Sequence, residues 1–284
     1  MSQTKAHAKL EGWESRPVPI RYLALMRPRQ WTKNLLVFAA LIFSVRQADM
    51  GMLGQALSGF VLFCLVSSCV YVLNDYADRE RDRLHPEKKH RPLASGAIHP
   101  QTALLFGLVL LTSCLMLAFR FQLAFGIVLS VYFGMNVLYS YRLKHVVIVD
   151  LLIVASGFVL RAVGGGLVIG VPLTPWFLLC TMLLALFLAI GKRRHELALM
   201  QNGSGSHRKV LESYSMEMLN QMSGIVTTAT IMSYALFTFT SGHTIQLMWT
   251  LIFVLYGVFR YLYLIHMEGK GAGRKSCCSR TSTF

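Results

Sequence analysis

The chain has 284 residues, of which 54% are hydrophobic and only 14% are charged. A soluble domain carries roughly 25% charged residues, so this composition excludes a soluble globular protein and indicates an integral membrane protein. The net charge of +15 does not indicate nucleic-acid binding, because the basic residues occupy short loops between apolar stretches, as the positive-inside rule describes.

Residues 1–21 are polar and of mixed charge, without the apolar core of a signal peptide, so we expect no cleaved leader. Apolar stretches of membrane length follow, at about 20 residues for a ~30 Å hydrocarbon core. They predict a polytopic transmembrane helical bundle, in which residues 120–122 form a tight hairpin. The glycines at 164–166, with Pro172 and Pro175, are predicted to end the fifth span and start the sixth. The eight predicted spans are 33–45, 52–73, 101–119, 121–140, 146–170, 173–190, 221–241 and 245–266.

The basic residues divide the loops into two sides. Of the 28 Lys and Arg residues, all except Arg46, Arg120 and Arg161 lie in the N-terminal segment, the C-terminal tail or the loops of one side. The positive-inside rule assigns that side to the cytoplasm. Chemistry in water-exposed loops is therefore expected on the cytoplasmic side.

An acidic segment follows directly on the second span. Asp75, Asp78 and Asp82 are spaced at i, i+3 and i+7, so they share one face if the helix continues. Carboxylates at the negative C-terminal end of a helix require a cation nearby. Three carboxylates and the Asn74 amide suit Mg²⁺, which also takes phosphate oxygens as ligands. We therefore predict that Asn74, Asp75, Asp78 and Asp82 are metal ligands.

An alternative explanation is that Arg79, Arg81 and Arg83 neutralise these acids as surface ion pairs. Such pairs contribute roughly 0–1 kcal/mol each. They account for the charges, but they do not account for three aspartates in helical phase at a membrane edge. Metal binding is therefore the favoured interpretation.

The pattern Asn74-Asp75-x-x-Asp78-x-x-x-Asp82 resembles the first aspartate-rich motif of the UbiA-type intramembrane prenyltransferases. Residues 91–96, which read Arg-Pro-Leu-Ala-Ser-Gly, resemble the turn that follows this motif in the family. The resemblance implies that Asp75, Asp78 and Asp82 are the catalytic acids and hold Mg²⁺ against a diphosphate.

The resemblance covers residues 25 to about 270. It implies an all-helical bundle, usually of nine membrane helices, forming a single domain over residues 1–284. Loops 74–99 and 191–215 are expected to cap a polar pocket on the cytoplasmic side. The tail at 271–284 is atypical for a family that continues into a ninth helix, so we expect a truncated or frame-shifted end.

Two basic motifs resemble one branch of the superfamily, the decaprenyl-phosphate phosphoribosyltransferases. They are residues 27–34, Arg-Pro-Arg-Gln-Trp-Thr-Lys-Asn, and residues 191–197, Gly-Lys-Arg-Arg-His-Glu-Leu. Aromatic prenyltransferases of the same superfamily carry a second aspartate-rich motif in the second loop, whereas this chain has no Asp after Asp150. We expect the second half of the pocket to bind phosphates through Lys and Arg.

The resemblance to this branch implies transfer of 5-phosphoribose from 5-phosphoribosyl 1-diphosphate to a polyprenyl phosphate, with release of pyrophosphate, in a bacterial plasma membrane. Mg²⁺ is the expected cofactor, and the lipid phosphate, the phosphoribosyl diphosphate and the bilayer are the expected partners. One alternative is an aromatic polyprenyltransferase that acts on a hydroxybenzoate-like acceptor. A lesser alternative is a transporter of a phosphorylated lipid.

The candidate substrate-binding residues are the cations of these motifs and their polar neighbours. Each cation could instead anchor the chain to lipid headgroups. Asp150 and Arg161 lie inside the fifth span, where charges usually line a cavity. The residues predicted to bind substrate are Arg29, Lys33, Lys89, Arg91, Tyr139, Lys144, Lys192, Arg193, Arg194 and Glu196.

Overall fold

The computed structural model describes residues 13, 16–44, 49–85, 88–201, 209–240 and 245–267. Within these ranges every regular element is a helix. The α-helices are α1 (Val18–Leu25), α2 (Ala39–Phe43), α3 (Met50–Ala77), α4 (Arg79–Leu84), α5 (Pro100–Phe121), α6 (Leu123–Tyr141), α7 (Val149–Val168), α8 (Pro175–Gln201), α9 (Met216–Thr240) and α10 (Thr250–Met267). Short 3₁₀ helices cover Pro28–Phe38, Lys88–His90, Leu143–His145, Lys209–Ser213 and Ile245–Trp249.

The predicted all-helical membrane fold is confirmed. Among the described residues, seven helices are long and apolar enough to cross a membrane: α3, α5, α6, α7, α8, α9 and the stretch Leu247–Ile265, which includes most of α10. They correspond to seven of the eight predicted spans. The atypical tail at 271–284 lies outside the described residues, as do residues 202–208 of the second predicted cap loop.

The segment predicted as the first span is built differently from the others. Its first part belongs to the 3₁₀ helix Pro28–Phe38, and α2 adds only five residues. A 3₁₀ helix rises about 2.0 Å per residue and an α-helix 1.5 Å, so residues 28–43 extend roughly 30 Å. The segment therefore has the length of a hydrocarbon core without forming a membrane-length α-helix.

The helix ends follow from local sequence. The Asp49 carboxylate caps α3 by accepting a hydrogen bond of 2.6 Å from the Met52 amide. Pro100 and Pro175 stand at the first positions of α5 and α8, where the missing amide proton of proline has no intrahelical partner to lose. Gln122 alone, in an extended conformation, separates α5 from α6, so the connection between these helices is as short as the sequence predicts.

The glycines at 164–166 lie inside α7, which ends at Val168, so their predicted part in ending the span is wrong, whereas Pro175 does begin the next helix. A Cβ atom on Gly165 would lie 2.0 Å from the carbonyl oxygen of Val37, and one on Gly164 would lie 2.6 Å from the Phe63 ring. The absence of side chains lets α7 pack closely on the 3₁₀ helix and on α3. This packing outweighs the low helix propensity of glycine.

The described chain divides into two compact units. One comprises Met1–Ser140 with Leu160–Pro172, and the other comprises Tyr141–Val159 with Leu173–Phe284. Helix α7 contributes residues to both. The single membrane domain remains a prediction, and the two units are described separately below.

Each unit has its own apolar core beside a segment that carries predicted site residues. In the first unit the core includes Leu93, two residues after Arg91, and in the second it includes neighbours of the basic run at 192–194. The first core contains Leu25, Val72, Leu93, Ile98 and Ala103. The second contains Leu151, Ile190, Leu197, Val210, Leu211, Tyr214 and Leu219.

We predict that Gly165→Ala destabilises the protein by about 1–3 kcal/mol, because its new methyl group overlaps the Val37 carbonyl. Gly134→Ala is the matched control, since among the described residues nothing lies within 4 Å of a Cβ atom at position 134 of α6. That change should be neutral or slightly stabilising. Thermal unfolding of both variants in one detergent measures the difference, and equal melting temperatures would contradict the close-packing interpretation.

Candidate active site

The predicted acidic residues lie where α3 gives way to α4. Helix α3 ends at Ala77, Asp78 leaves the helical conformation with ψ at 4°, and α4 begins at Arg79. The expected uninterrupted helix is therefore broken at Asp78. The helical spacing nevertheless continues, because the Asp78 amide donates to the Asn74 carbonyl at 2.9 Å and the Asp82 amide donates to the Asp78 carbonyl at 2.8 Å.

The carboxylates of Asp75 and Asp82 are buried and share one arginine. The two residues are only 2% and 4% exposed. Nη1 of Arg91 lies 3.1 Å from Oδ1 of Asp75 and 2.5 Å from Oδ2 of Asp82. Arg27 contacts the same Asp75 oxygen. These four residues, named the Arg–Asp quartet below, place two guanidinium groups against two buried carboxylates.

The arginines that lie nearer to the aspartates in the sequence have other partners. Arg79 and Arg83 contact the carboxylate of Glu80, at 3.1 Å in each case. Arg79 and Arg83 thus form surface pairs with Glu80, whereas the alternative explanation paired them with the aspartates. Asp75 pairs instead with arginines 16 and 48 positions away. Sequence reasoning included Arg91 among the substrate ligands and missed Arg27.

The N-terminal segment holds the loop that carries Arg91. The Trp13 indole donates to the carbonyl of His90 at 3.0 Å, and the Arg21 guanidinium donates to the carbonyl of Ala97 at 3.3 Å. Arg91 therefore lies between two backbone positions that are tied to the start of the chain. This restraint helps to aim its side chain at the buried carboxylates.

The quartet fits a divalent cation in part. Among the described residues no three His, Cys, Asp or Glu side chains are gathered closely enough to hold one metal ion, so the predicted four ligands do not surround a single point. Asp75 and Asp82 do converge, because one nitrogen of Arg91 contacts both. Their oxygens are hard ligands of the kind that Mg²⁺ prefers, and the space between them already accommodates positive charge.

A polar stripe on α3 binds the 3₁₀ helix that precedes it. The Trp31 indole donates to Ser68 at 3.1 Å, and the Asn34 amide donates to Ser67 at 3.2 Å. These serines lie two turns before Asp75 on the same helix. The stripe places residues 27–34 beside the acidic site. The sequence carries a signal for this contact, because two adjacent serines are unusual within an apolar span.

Arg161, predicted to line a cavity, extends this network into the membrane interior. Its Nε donates to the Asn34 side-chain oxygen at 2.7 Å, and an Nη atom donates to the Tyr132 hydroxyl at 2.7 Å. All three residues are buried. Polar groups in hydrocarbon must find partners within the protein, and here they join α6, α7 and the 3₁₀ helix.

The second unit contains a separate buried ion pair. Nε of Arg193 lies 2.8 Å from Oδ2 of Asp150, and both residues are buried. Arg193 also donates to Glu196 at 2.6 Å. The Tyr214 hydroxyl donates to the other Asp150 oxygen at 2.7 Å and accepts from the Ile148 amide. Asp150 therefore joins α7, α8 and the segment before α9.

The three cations of the basic run have different surroundings. Arg193 is held by carboxylates, whereas the side chain of Lys192 is 62% exposed and lies 3.7 Å from Glu196. Arg194 donates to the side chain of Asn220 at 2.8 Å and to the carbonyl of Ile265 at 3.1 Å. The phosphate-binding role predicted for these residues remains a prediction, and Lys192 is the most accessible of the three.

The remaining predicted ligands are spread over both units. Arg29 is exposed on the 3₁₀ helix Pro28–Phe38. Lys33, Lys89 and Tyr139 are partly buried and belong to the first unit. Lys144 is partly buried and belongs to the second. Their roles also remain predictions.

Comparison with known sequences decides the family. The family model described as the UbiA prenyltransferase family matches residues 35–280. The chain belongs to this family. It is 37% identical over 227 residues to the decaprenyl-phosphate phosphoribosyltransferase of Mycolicibacterium smegmatis, covering 78% of this chain and 71% of that protein. It is 36% identical over 220 residues to the enzyme of the same name from Corynebacterium glutamicum, covering 75% and 66% respectively.

Solved structures support the UbiA fold independently. A UbiA homolog from Archaeoglobus fulgidus bound to GPP and Mg²⁺ has a TM-score of 0.69 at 20% identity, covering 86% of this chain and 87% of that one. A digeranylgeranylglyceryl phosphate synthase has a TM-score of 0.67, also at 20% identity, covering 88% and 89%. The predicted family, its branch and its helical fold are confirmed.

We predict that the Tyr214–Asp150 hydrogen bond stabilises the second unit in a pH-dependent way. Burial, followed by the hydrogen bond to Asp150, raises the pKa of Tyr214 to about 12. Because this pKa is raised, the stabilisation is fully present below about pH 10, where unfolded tyrosine ionises, and is lost as the pH rises through 12. Tyr214→Phe should lower the melting temperature at pH 8, and the gap to the parent protein should close above pH 10.

Tyr256→Phe is the control, because Tyr256 is 69% exposed on α10. It removes the same hydroxyl from a position outside the buried network. A melting-temperature gap for Tyr214→Phe that persists unchanged at pH 12, or one no larger than that of Tyr256→Phe at pH 8, would contradict the prediction.

Proposed function

We propose that this UbiA-family protein transfers 5-phosphoribose from 5-phosphoribosyl 1-diphosphate to a polyprenyl phosphate, decaprenyl-like in length, and releases pyrophosphate. The observation that carries the proposal is the 36–37% identity to enzymes named decaprenyl-phosphate phosphoribosyltransferase over about three-quarters of the chain. The basic residues of the second unit, in place of a second acidic motif, support the same choice of substrates.

The Arg–Asp quartet is the proposed diphosphate site. Asp75 and Asp82 would hold Mg²⁺ with help from Asn74 and Asp78, which supply further hard oxygens at the same helix end. When bound, the metal neutralises the negative charge that builds up on departing pyrophosphate. Arg91, with its guanidinium already at this position, would bind the diphosphate oxygens as a planar, permanently charged donor.

The reaction requires no protein base. An oxygen of the lipid phosphate forms a bond to C1 of the ribose as the bond from C1 to the diphosphate oxygen breaks, and this nucleophile is already an anion. The buried carboxylates of Asp75 and Asp82 are held by guanidinium groups, which suits a role in binding rather than in proton transfer. Catalysis would then come from positioning and electrostatic stabilisation.

The phosphate ends of the two substrates need further cations. In the first unit Arg29, Lys33 and Lys89 are the proposed donors, and Tyr139 is a proposed neighbour of the pocket. In the second unit Lys144, Lys192 and Arg194 are proposed donors. We assign Arg193 and Glu196 to the support of this basic segment, since Arg193 is buried against Asp150. The proposed location is a bacterial plasma membrane with the site on its cytoplasmic side, following the distribution of basic residues.

An aromatic prenyltransferase is the second candidate, because a neighbour in fold binds GPP and Mg²⁺. It would use the same acidic site for a prenyl diphosphate. The absence of any Asp after Asp150 in the sequence disfavours it, since two-metal binding of that substrate uses a second acidic motif.

The deciding experiment supplies the purified protein with Mg²⁺, decaprenyl phosphate and radiolabelled 5-phosphoribosyl 1-diphosphate. We expect label in the lipid fraction. A parallel reaction receives a polyprenyl diphosphate and 4-hydroxybenzoate. Product in the second reaction alone would refute the proposed function and establish the second candidate.

We predict that Asp78→Ala lowers the rate of phosphoribose transfer at least ~100-fold, as expected for loss of a group that stabilises developing charge. Asp78 lies at the break between α3 and α4 and is only partly buried, so the variant should fold and insert. Glu80→Ala is the control, because within the described part of the chain Glu80 makes surface pairs with Arg79 and Arg83, and this variant should retain nearly full activity. Full activity of Asp78→Ala would remove Asp78 from the site.

A further inference from the structure

The Arg–Asp quartet is electrically complete without a metal ion. It holds two buried carboxylates, Asp75 and Asp82, and two guanidinium groups, Arg27 and Arg91. Burying a carboxylate without a partner is strongly unfavourable, so the arginines keep the site stable when nothing is bound. A divalent cation carries the same positive charge as these two arginines together.

Arg91 lies where a cation between the two carboxylates must lie. Its Nη1 atom contacts Oδ1 of Asp75 and Oδ2 of Asp82 at hydrogen-bond distance. A metal ion that uses these oxygens as ligands cannot occupy that space together with the guanidinium group. Metal binding through these two oxygens therefore requires Arg91 to leave at least one carboxylate.

The guanidinium groups of Arg27 and Arg91 have space to move away from the carboxylates. The side chains of Arg27 and Arg91 are 25% and 29% exposed, whereas the carboxylates they contact are almost fully buried. Their guanidinium groups can turn toward the open side without carrying the aspartates along. A diphosphate arriving on that side offers several anionic oxygens, which a planar guanidinium binds well.

We infer that Arg91, assisted by Arg27, is an internal counter-ion that competes with the divalent cation, and that a diphosphate relieves this competition by binding the displaced guanidinium groups. The inference rests on the proposed use of a metal at Asp75 and Asp82 and extends it to the order of events. The metal alone binds weakly, and the metal and the diphosphate strengthen each other. Linkage makes this strengthening reciprocal, typically by a factor of 5–150.

The experiment measures Mn²⁺ binding to the purified full chain by electron paramagnetic resonance, with and without pyrophosphate. The known formation of Mn²⁺–pyrophosphate in solution is included in the fit. For the parent protein we expect weak Mn²⁺ binding alone and binding ~10-fold tighter with pyrophosphate. For Arg91→Gln we expect Mn²⁺ alone to bind ~10-fold tighter than to the parent protein, and pyrophosphate to add little.

Two further variants separate competition from general electrostatics. Arg83→Gln removes the same charge from the neighbouring helix α4, but Arg83 contacts Glu80 and the Ala94 carbonyl, so Mn²⁺ affinity should change less than about twofold. Arg91→Lys keeps the positive charge but loses the planar guanidinium group. Its Mn²⁺ affinity should lie between those of the parent protein and Arg91→Gln. Melting temperatures identify any variant that is unfolded.

The direction in which Arg91→Gln changes the Mn²⁺ affinity tests the inference. If Arg91 only supports the metal site, Arg91→Gln weakens Mn²⁺ binding, and that result overturns the inference. An equal gain in Arg83→Gln also overturns it. If one of these two results is found and the parent protein still transfers phosphoribose, the inference is wrong but the proposed function stands. The expected Mn²⁺ pattern without phosphoribose transfer supports the inference and refutes the proposed substrate. No Mn²⁺ binding by any variant refutes both the inference and the proposed metal role.

Discussion

Compensation of buried charge is the constraint on which both units of this protein depend. Asp75 and Asp82 in the first unit and Asp150 in the second are almost fully buried, and an ionised carboxylate in such surroundings needs a partner. Each pairs with an arginine outside its own helix, Arg91 or Arg193. Removing one partner of such a pair costs about 3–5 kcal/mol. In the first unit the folding of the surrounding loops is thus tied to the same groups that the proposed chemistry uses.

Hydropathy was sufficient to predict most of the fold, because only helices satisfy every backbone group in lipid. It was insufficient at residues 28–43, where a 3₁₀ helix packs on the polar stripe of α3. It was also insufficient at the glycines of α7, which the sequence suggested were helix breakers. Their function in packing becomes visible only when Val37 and Phe63 are placed against them.

The acidic half of the candidate site could be predicted because helical spacing is a local property. Asp75 and Asp82 converge as the periodicity implies. The partners could not be predicted in the same way, since the contact of Arg27 with Asp75 spans 48 positions and that of Asp150 with Tyr214 spans 64. The residues of the basic run at 192–194 also differ in their surroundings. Arg193 is buried against Asp150, whereas Lys192 is exposed. The sequence alone does not distinguish these two cations.

The contact between Asn34 and Arg161 has a consequence for synthesis of the protein. The two residues are 127 positions apart, so a ribosome working at 5–20 residues per second delivers Arg161 on the order of ten seconds after Asn34. The amide of Asn34 gains its partners Cys64 and Ser67 much earlier, because they follow by only 30 and 33 positions. We therefore expect the nascent 3₁₀ segment and α3 to join first, and Arg161 on α7 to complete this buried network later.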